Sequence, residues 1–95
     1  MFATVITFEE DSASQAAGID HVLEEVVPAL QGRPGVSGTW LVDREGGRRL
    51  SVMLFPDEPA YDAAMQAIAD RHAAGGGRPR PKPASVGRYE VYASV

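Results

Sequence analysis

Residues 34–55, PGVSGTWLVDREGGRRLSVMLF, contain two apolar runs on either side of a Gly-Gly pair. Glycine readily adopts the positive φ angles of tight hairpin turns, so this pair predicts a turn. We therefore predict a β-hairpin whose strands are residues 36–43 and residues 50–55. The first of these strands carries the single tryptophan of the chain, Trp40.

A strand and a helix are predicted before the hairpin. Residues 2–8, FATVITF, have the β-branched and aromatic composition of a strand. A helix follows, with Asp11 or Ser12 as the residue that caps its first-turn amides. Pro28 lacks the amide that would bond the carbonyl of Glu24, so we expect the helix to kink or to loosen there.

The apolar residues of this helix recur at three- and four-residue intervals, as one buried face requires. The residues predicted to face the core are Ala16, Ile19, Leu23, Val26, Val27 and Leu30. Those predicted on the solvated side are Asp20, His21, Glu24 and Glu25. The helix is therefore expected to pack with its acidic side outward.

A second helix and a final strand are predicted after the hairpin. Asp57 is a suitable cap for the helix. The stripe expected to face the core consists of Tyr61, Ala64, Met65, Ile68 and His72. Residues 75–83, GGGRPRPKP, end the helix and predict a flexible loop. Residues 87–95, GRYEVYASV, alternate between two sides as a strand does.

The predicted order is strand, helix, strand, strand, helix, strand. This order is typical of the α+β ferredoxin-like βαββαβ fold, in which a four-stranded antiparallel sheet carries both helices on one face. The first and third strands are expected at the centre of the sheet. Residues 1–95 are too few for a second core, so we predict a single domain.

The sheet face away from the helices is predicted to be too apolar for water. A sheet face in contact with water should be mainly charged or strongly polar. Neither alternating set of strand residues in this chain has that composition. Burial of about 500 Å² of apolar surface per subunit would contribute about 12 kcal/mol before the costs of association. We therefore predict a homodimer that packs sheet against sheet.

Composition limits the classes of function. The chain has no cysteine, which excludes disulfides, thiolate nucleophiles and Cys-ligated metals. A net charge of −4 argues against a nucleic-acid partner. No apolar run approaches the ~20 residues of a membrane span, and no signal-peptide pattern precedes the first strand, so we predict no membrane partner. Together these features predict a cytoplasmic protein.

Four segments carry a resemblance to a known family: VITF (residues 5–8), PGVSGTWLV (34–42), LSVMLFPDEPAYDAAM (50–65) and RYEVYASV (88–95). They resemble the dimeric α+β barrel superfamily, and in particular its small antibiotic-biosynthesis-monooxygenase-like proteins. The resemblance implies the ferredoxin-like fold and the dimer. The superfamily includes cofactor-free quinone-forming oxygenases, haem-degrading enzymes and muconolactone-isomerase-like enzymes.

The resemblance also implies a substrate site between the sheet and the helices. In the quinone-forming members a Trp, a Tyr and an Arg or Asn hold a phenolic substrate, which reacts with oxygen after it is deprotonated. We accordingly predict that the substrate-binding residues are Trp40, Tyr61, Tyr92 and Phe55, with Tyr89 as a further candidate tyrosine, and that no cofactor is used. The alternative role for Trp40 is packing in the core or in a subunit contact.

His72 is the predicted acid–base residue, because an imidazole can gain or lose a proton near neutral pH. In the haem-degrading relatives a histidine of the second helix binds iron, with an Asn on strand one and a Trp at the end of strand three. This chain has Thr4 and Thr7 on strand one and Phe55 near the Trp position, so we do not expect haem. The alternative for His72 is a helix-terminal residue that complements the helix dipole.

Two questions stay open at the level of sequence. His21 and Glu25 lie one helical turn apart and could hold a metal ion, but an acidic helix gives such spacing by chance, and we predict no metal site. The function is either that of a cofactor-independent monooxygenase or isomerase acting on a small aromatic or polyketide-like molecule, or that of a non-catalytic ligand-binding or assembly module. A cavity of about 300 Å³ or more with convergent polar groups would favour a ligand site.

Overall fold

The computed structural model describes residues 1–77 and 79–95, so Arg78 of the predicted loop lies outside the described residues. The strands are β1 (Phe2–Glu9), β2 (Ser37–Asp43), β3 (Arg48–Phe55) and β4 (Ser85–Glu90). The helices are α1 (Ser12–His21), α2 (Val27–Leu30) and α3 (Glu58–Ala74). A π-helical turn, Val22–Val26, joins α1 to α2, and these three segments form the first helix of the chain. The predicted βαββαβ order is confirmed.

The four strands form one antiparallel sheet in the order β2-β3-β1-β4. The first and third strands are central, as predicted, and both helices pack against the same face. The predicted hairpin is also confirmed: Gly47 has a φ of 68° in the turn, and Leu41 pairs with Leu50. The fold is therefore the α+β ferredoxin-like fold.

Residues of β3 alternate between the two faces of the sheet. Those on the helix side are buried, namely Arg49, Ser51, Met53 and Phe55. Directly paired residues of an antiparallel sheet share a face, which places Ile6 of β1 and Trp40 of β2 on the helix side with Ser51. The opposite side, called the free face below, carries the apolar residues Ala3, Val5, Leu41, Leu50, Val52, Leu54 and Tyr89. The same face also carries Thr7, Glu9, Ser37, Thr39, Asp43, Arg48, Ser85 and Gly87.

The core lies between the sheet and the two helices. Its buried apolar residues are Val22, Val26, Ala29, Leu30, Met53, Phe55, Ala64 and Ile68. Ala64 and Ile68 belong to the stripe predicted for the second helix, which is confirmed. Among the described helices, none is long and apolar enough to cross a membrane.

In the N-terminal half of the first helix, the buried face differs from the predicted one. Gln15, Gly18 and Val22 are buried there, whereas Leu23 is 62% exposed. The side-chain amide of Gln15 donates a hydrogen bond of 3.1 Å to the carbonyl oxygen of Asp43. This polar contact holds the helix in a rotation that apolar periodicity does not reveal.

The π-helical turn brings the helix back to the predicted rotation. The amide of Val27 donates to the carbonyl of Val22, five residues earlier, so the turn accommodates one extra residue. Val26 and Leu30, which follow from that point, are buried as predicted. The looser turn was expected at Pro28, whereas the π-helical turn ends at Val26 and Pro28 lies within α2.

Both helices begin at aspartate caps. The carboxylate of Asp11 accepts a hydrogen bond of 2.8 Å from the amide of Ser14. The carboxylate of Asp57 accepts one of 2.9 Å from the amide of Ala60. Each bond satisfies a first-turn amide that has no partner within the helix.

The last strand is shorter at its C-terminal end than predicted. It begins at Ser85 and ends at Glu90, opposite Phe2 of β1. The amide of Val91 still donates to the carbonyl of Met1 at 3.3 Å, one residue beyond the end of the strand. Residues 91–95 therefore lie outside the strand.

Candidate functional site

A cavity of about 210 Å³ lies between the sheet and the helices. The sheet contributes Ile6, Trp40 and Met53 to its wall, and the helices contribute Val26 and Ile68. Loop residues 80–83 also contribute to its lining, through Arg80, Pro81 and Pro83. The lining is mostly apolar, with a few polar side chains at fixed positions, as is usual for sites that bind small organic molecules.

Trp40 lines this cavity and has an unpaired donor. Its ring lies over Gly38, where a Cβ would be only 2.6 Å from the indole, so the glycine allows the ring to lie along the strand. The indole Nε1 is buried and has no hydrogen-bond partner among the described residues. A buried N–H without a partner costs about 1–3 kcal/mol. Trp40 therefore contributes an unpaired, buried donor next to the cavity that it lines.

Arg49 is a buried charged residue of the cavity wall that was not predicted from the sequence. Its Nε donates to Oε1 of Glu10 at 2.8 Å, and its guanidinium lies 4.3 Å from the centre of the Phe8 ring. The side chains of Arg49 and Glu10 are 5% and 4% exposed. Arg49 shares a strand face with Ser51 and Met53, and this alternation was the signal that could have placed it in the interior.

A second group of polar side chains adjoins the cavity. Oε2 of Glu25 contacts Nδ1 of His21 and lies 2.9 Å from Nδ1 of His72. The two imidazole rings are 5.5 Å apart and nearly perpendicular, at 88°. Of the three, His21 belongs to the cavity wall. The prediction that His21 and Glu25 lie on a solvated side is wrong, because the rotation of the first helix turns both toward α3.

The close contacts in this group change two protonation equilibria. The hydrogen bond from His72 lowers the pKa of Glu25, although desolvation acts in the opposite direction. Desolvation lowers the pKa of His21, and the nearby Glu25 carboxylate offsets part of this effect. The carboxylate of Glu25 is therefore held in its ionised form between two imidazoles.

The other predicted substrate-binding residues lie away from the cavity. Phe55 is fully buried in the core, with its ring 5.1 Å from that of Tyr61 and 5.7 Å from that of Phe2. Tyr92 follows the end of β4 and is 97% exposed. The structure thus brings Trp40 to the cavity and places Phe55 and Tyr61 in a separate aromatic cluster. Spacing along the chain could not distinguish these two locations.

Comparison with known proteins identifies the fold. No protein-family model matches the chain, and no curated protein matches it. Solved structures do match. A monooxygenase from the gene ActVA-Orf6 of Streptomyces coelicolor, in complex with nanaomycin D, has a TM-score of 0.70 at 21% identity, over 99% of this chain and 89% of that one.

Two further structures show the same likeness. SnoaB, a cofactor-independent oxygenase from Streptomyces nogalater, has a TM-score of 0.68 at 15% identity, over 99% of this chain and 95% of that one. A MhuD variant with two manganese protoporphyrin IX bound per active site has a TM-score of 0.74 at 18% identity, over 100% and 98%. The chain is an α+β protein with a cavity between sheet and helices. Its fold is that of the antibiotic-biosynthesis-monooxygenase-like proteins, as the sequence resemblance predicted.

The residues present do not fit a porphyrin. His72, the candidate iron ligand by resemblance, directs Nδ1 to Glu25 and does not belong to the wall of the cavity. Phe55, which the resemblance places near the tryptophan of the haem-degrading relatives, is fully buried in the core. The cavity of about 210 Å³ is also smaller than the ~300–1,000 Å³ of typical ligand sites.

Proposed function

We propose that the protein binds a small aromatic molecule with an oxygen substituent in the Trp40 cavity and acts as a cofactor-independent oxygenase. The observation that carries this proposal is the buried, unpaired indole N–H of Trp40, a residue that lines a mostly apolar cavity. Arg49 supports it, because a cation in the same wall would stabilise a phenolate oxygen.

The chemistry requires little from the protein. The guanidinium of Arg49 favours the deprotonated substrate, whose electron-rich ring carbon reacts with dioxygen. A carbon that carries two hydrogens becomes a carbonyl; one oxygen atom enters the product, and the other leaves as water with those two hydrogens. The cavity of about 210 Å³ favours a substrate of one or two fused rings.

The predicted acid–base role of His72 stays a prediction. His72 directs Nδ1 to Glu25, and His21 is the member of the pair that lines the cavity. The proposal therefore depends on Trp40 and Arg49 for binding and makes no use of His72.

The test uses 1-naphthol. Its keto form has a ring carbon that carries two hydrogens, and oxidation of that carbon to a carbonyl would give 1,4-naphthoquinone. Calorimetry measures binding, and oxygen uptake with quinone absorbance measures turnover. Loss of the indole donor in Trp40→Phe should weaken binding about tenfold. Tyr92→Phe, a change at an exposed aromatic residue, is the matched control and should bind as the unchanged protein does.

Equal affinities of the unchanged protein and Trp40→Phe, or no binding at all, would contradict the proposal. Binding without oxygen uptake would instead support the second candidate function, a non-catalytic module that binds a small ligand. The small number of polar groups in the cavity wall favours that candidate. Among the described residues of the wall, polar side-chain atoms come from Trp40, Arg49, Ser51, His21 and Arg80.

We further propose that the protein is a homodimer joined through the free face. At the margins of this face Leu41 is 49% exposed and Tyr89 is 59% exposed. Its centre is apolar, with Val5, Val52 and Leu54 in adjacent register. A second copy is the partner that offers the same apolar face in the same shape.

A further inference from the structure

The geometry points to a binding site for a divalent first-row transition-metal ion formed by His21, Glu25 and His72. Each residue offers one ligand atom, and these atoms all lie within 4.8 Å of one another. Nδ1 of each histidine faces the same carboxylate oxygen, Oε2 of Glu25. This inference goes beyond the aromatic-ligand function proposed above, which makes no use of a metal.

The set of donor atoms indicates which ions would bind. Two imidazole nitrogens and one carboxylate oxygen suit Zn²⁺ and its neighbours Co²⁺ and Ni²⁺, whereas Ca²⁺ and Mg²⁺ prefer oxygen ligands alone. Donors of a tetrahedral zinc site lie about 3.3 Å apart, as bond lengths of about 2.0 Å require. Small side-chain rotations would bring the three atoms to that spacing. Three protein ligands leave a fourth position open.

The backbone next to the three residues contains a π-helical turn, which supports a functional site there. The π-helical turn begins directly after His21 and contains Glu25. Turns of this kind are rare and occur frequently at functional sites. His72 lies in the last turn of α3, so the donors come from two helices that the fold packs together. The side chains of His21, Glu25 and His72 are 20%, 7% and 15% exposed.

An ion could reach the cluster through a second cavity. This cavity, of about 410 Å³, lies between α1 and the loop, and its lining includes His21, Asp20 and Arg80. The negative charge of Asp20 favours entry of a cation, and the positive charge of Arg80 opposes it. Both side chains are exposed, so salt screens much of either effect.

The experiment titrates the chelator-treated protein with Zn²⁺. Calorimetry measures the binding, and thermal unfolding measures the stability of the protein with and without the ion. We expect one ion per chain and a higher midpoint of unfolding, as binding to the folded state alone requires. Glu25→Gln and His72→Ala should each weaken binding at least tenfold. Asp70→Asn, which removes an exposed carboxylate from the same helix as His72, is the matched control and should not change affinity.

Cobalt provides a measurement that does not depend on the stability of the variants. Binding of Co²⁺ by the unchanged protein should produce visible absorption bands of a low-coordinate nitrogen–oxygen site, and Zn²⁺ should displace it. Absence of saturable binding by the unchanged protein would overturn the inference. Unchanged affinity in both cluster variants would also overturn it. Neither result bears on 1-naphthol binding, which is measured in the presence of chelator.

Discussion

The guanidinium of Arg49 occupies the space in which a side chain on Gly18 would lie. Three of its atoms are less than 3.0 Å from the position of a Cβ on that glycine. Glycine inside a helix is less favourable than alanine by about 1 kcal/mol. Its presence in α1 therefore has a packing reason: it gives Arg49 room to reach Glu10.

Gly18→Ala should destabilise the protein by about 1–3 kcal/mol, although alanine is the better helix former. The added methyl group would force the guanidinium away from Glu10, with which it forms a buried pair. Urea denaturation measures the change in free energy of unfolding. Ala17→Gly, at the exposed neighbouring position, reports helix propensity alone. A gain of stability in Gly18→Ala would show that Arg49 moves aside at no cost.

Arg49→Met should cost about 3–5 kcal/mol, because it leaves the carboxylate of Glu10 buried without its partner. Replacing both residues, with Glu10→Gln added, should recover much of that loss. Arg48→Met is the matched control, since Arg48 forms an exposed pair of 3.3 Å with Asp43, and should cost at most about 1 kcal/mol. Equal losses at the two arginines in thermal or urea unfolding would contradict the buried pair.

Asp11 should contribute to the acid sensitivity of the protein. The amide of Ser14 bonds its carboxylate and lowers the pKa of Asp11 below the usual 3.8. Because the folded-state pKa is the lower one, this stabilisation is complete above pH 3.8 and is lost as pH falls through the folded pKa.

Asp11→Asn tests this, because asparagine caps a helix about as well but does not titrate. The two proteins should have similar unfolding midpoints at neutral pH, and the variant should lose less stability in acid. Thermal unfolding across the pH range measures both. Identical losses in acid would show that the capping bond does not respond to protonation.

A charge on the free face should prevent the proposed dimer. Val52→Lys places an ammonium group at the centre of that face, where desolvation in a subunit contact would be costly. Analytical ultracentrifugation should find a dimer of the unchanged protein and a monomer of the variant. Leu23→Lys, at a position that is already 62% exposed on the first helix, should leave the dimer intact. A monomer in the unchanged protein would refute the dimer.

Two of the aromatic residues predicted at the substrate should differ sharply in their effect on stability. Phe55→Ala should cost about 3–5 kcal/mol, since its side chain is fully buried against Phe2 and Tyr61. Tyr92→Ala, at a 97% exposed position, should change stability by less than about 0.5 kcal/mol. Urea denaturation compares them. A large loss at Tyr92 would mean that the C-terminal residues pack against something in solution.

The candidate site could be predicted from the sequence only in part. Trp40 was predicted through the family resemblance, in which a tryptophan holds the substrate, and it is the single tryptophan of the chain. Arg49 was not, because an arginine next to a hairpin turn normally points to solvent. Its burial depends on Glu10 and on Gly18, which are distant along the chain and adjacent only after folding.

Local patterns in the chain determined the elements and their order: period-two strands, a glycine turn, aspartate caps and an apolar stripe on α3. These features depend on neighbours within a few residues, so sequence alone carries them. The tertiary structure decided the rotation of the first helix, and with it the burial of Glu25 between His21 and His72. That rotation depends on the contact of Gln15 with Asp43 and of Gly18 with Arg49. Contacts across such long sequence separations exist only once the helix lies on the sheet.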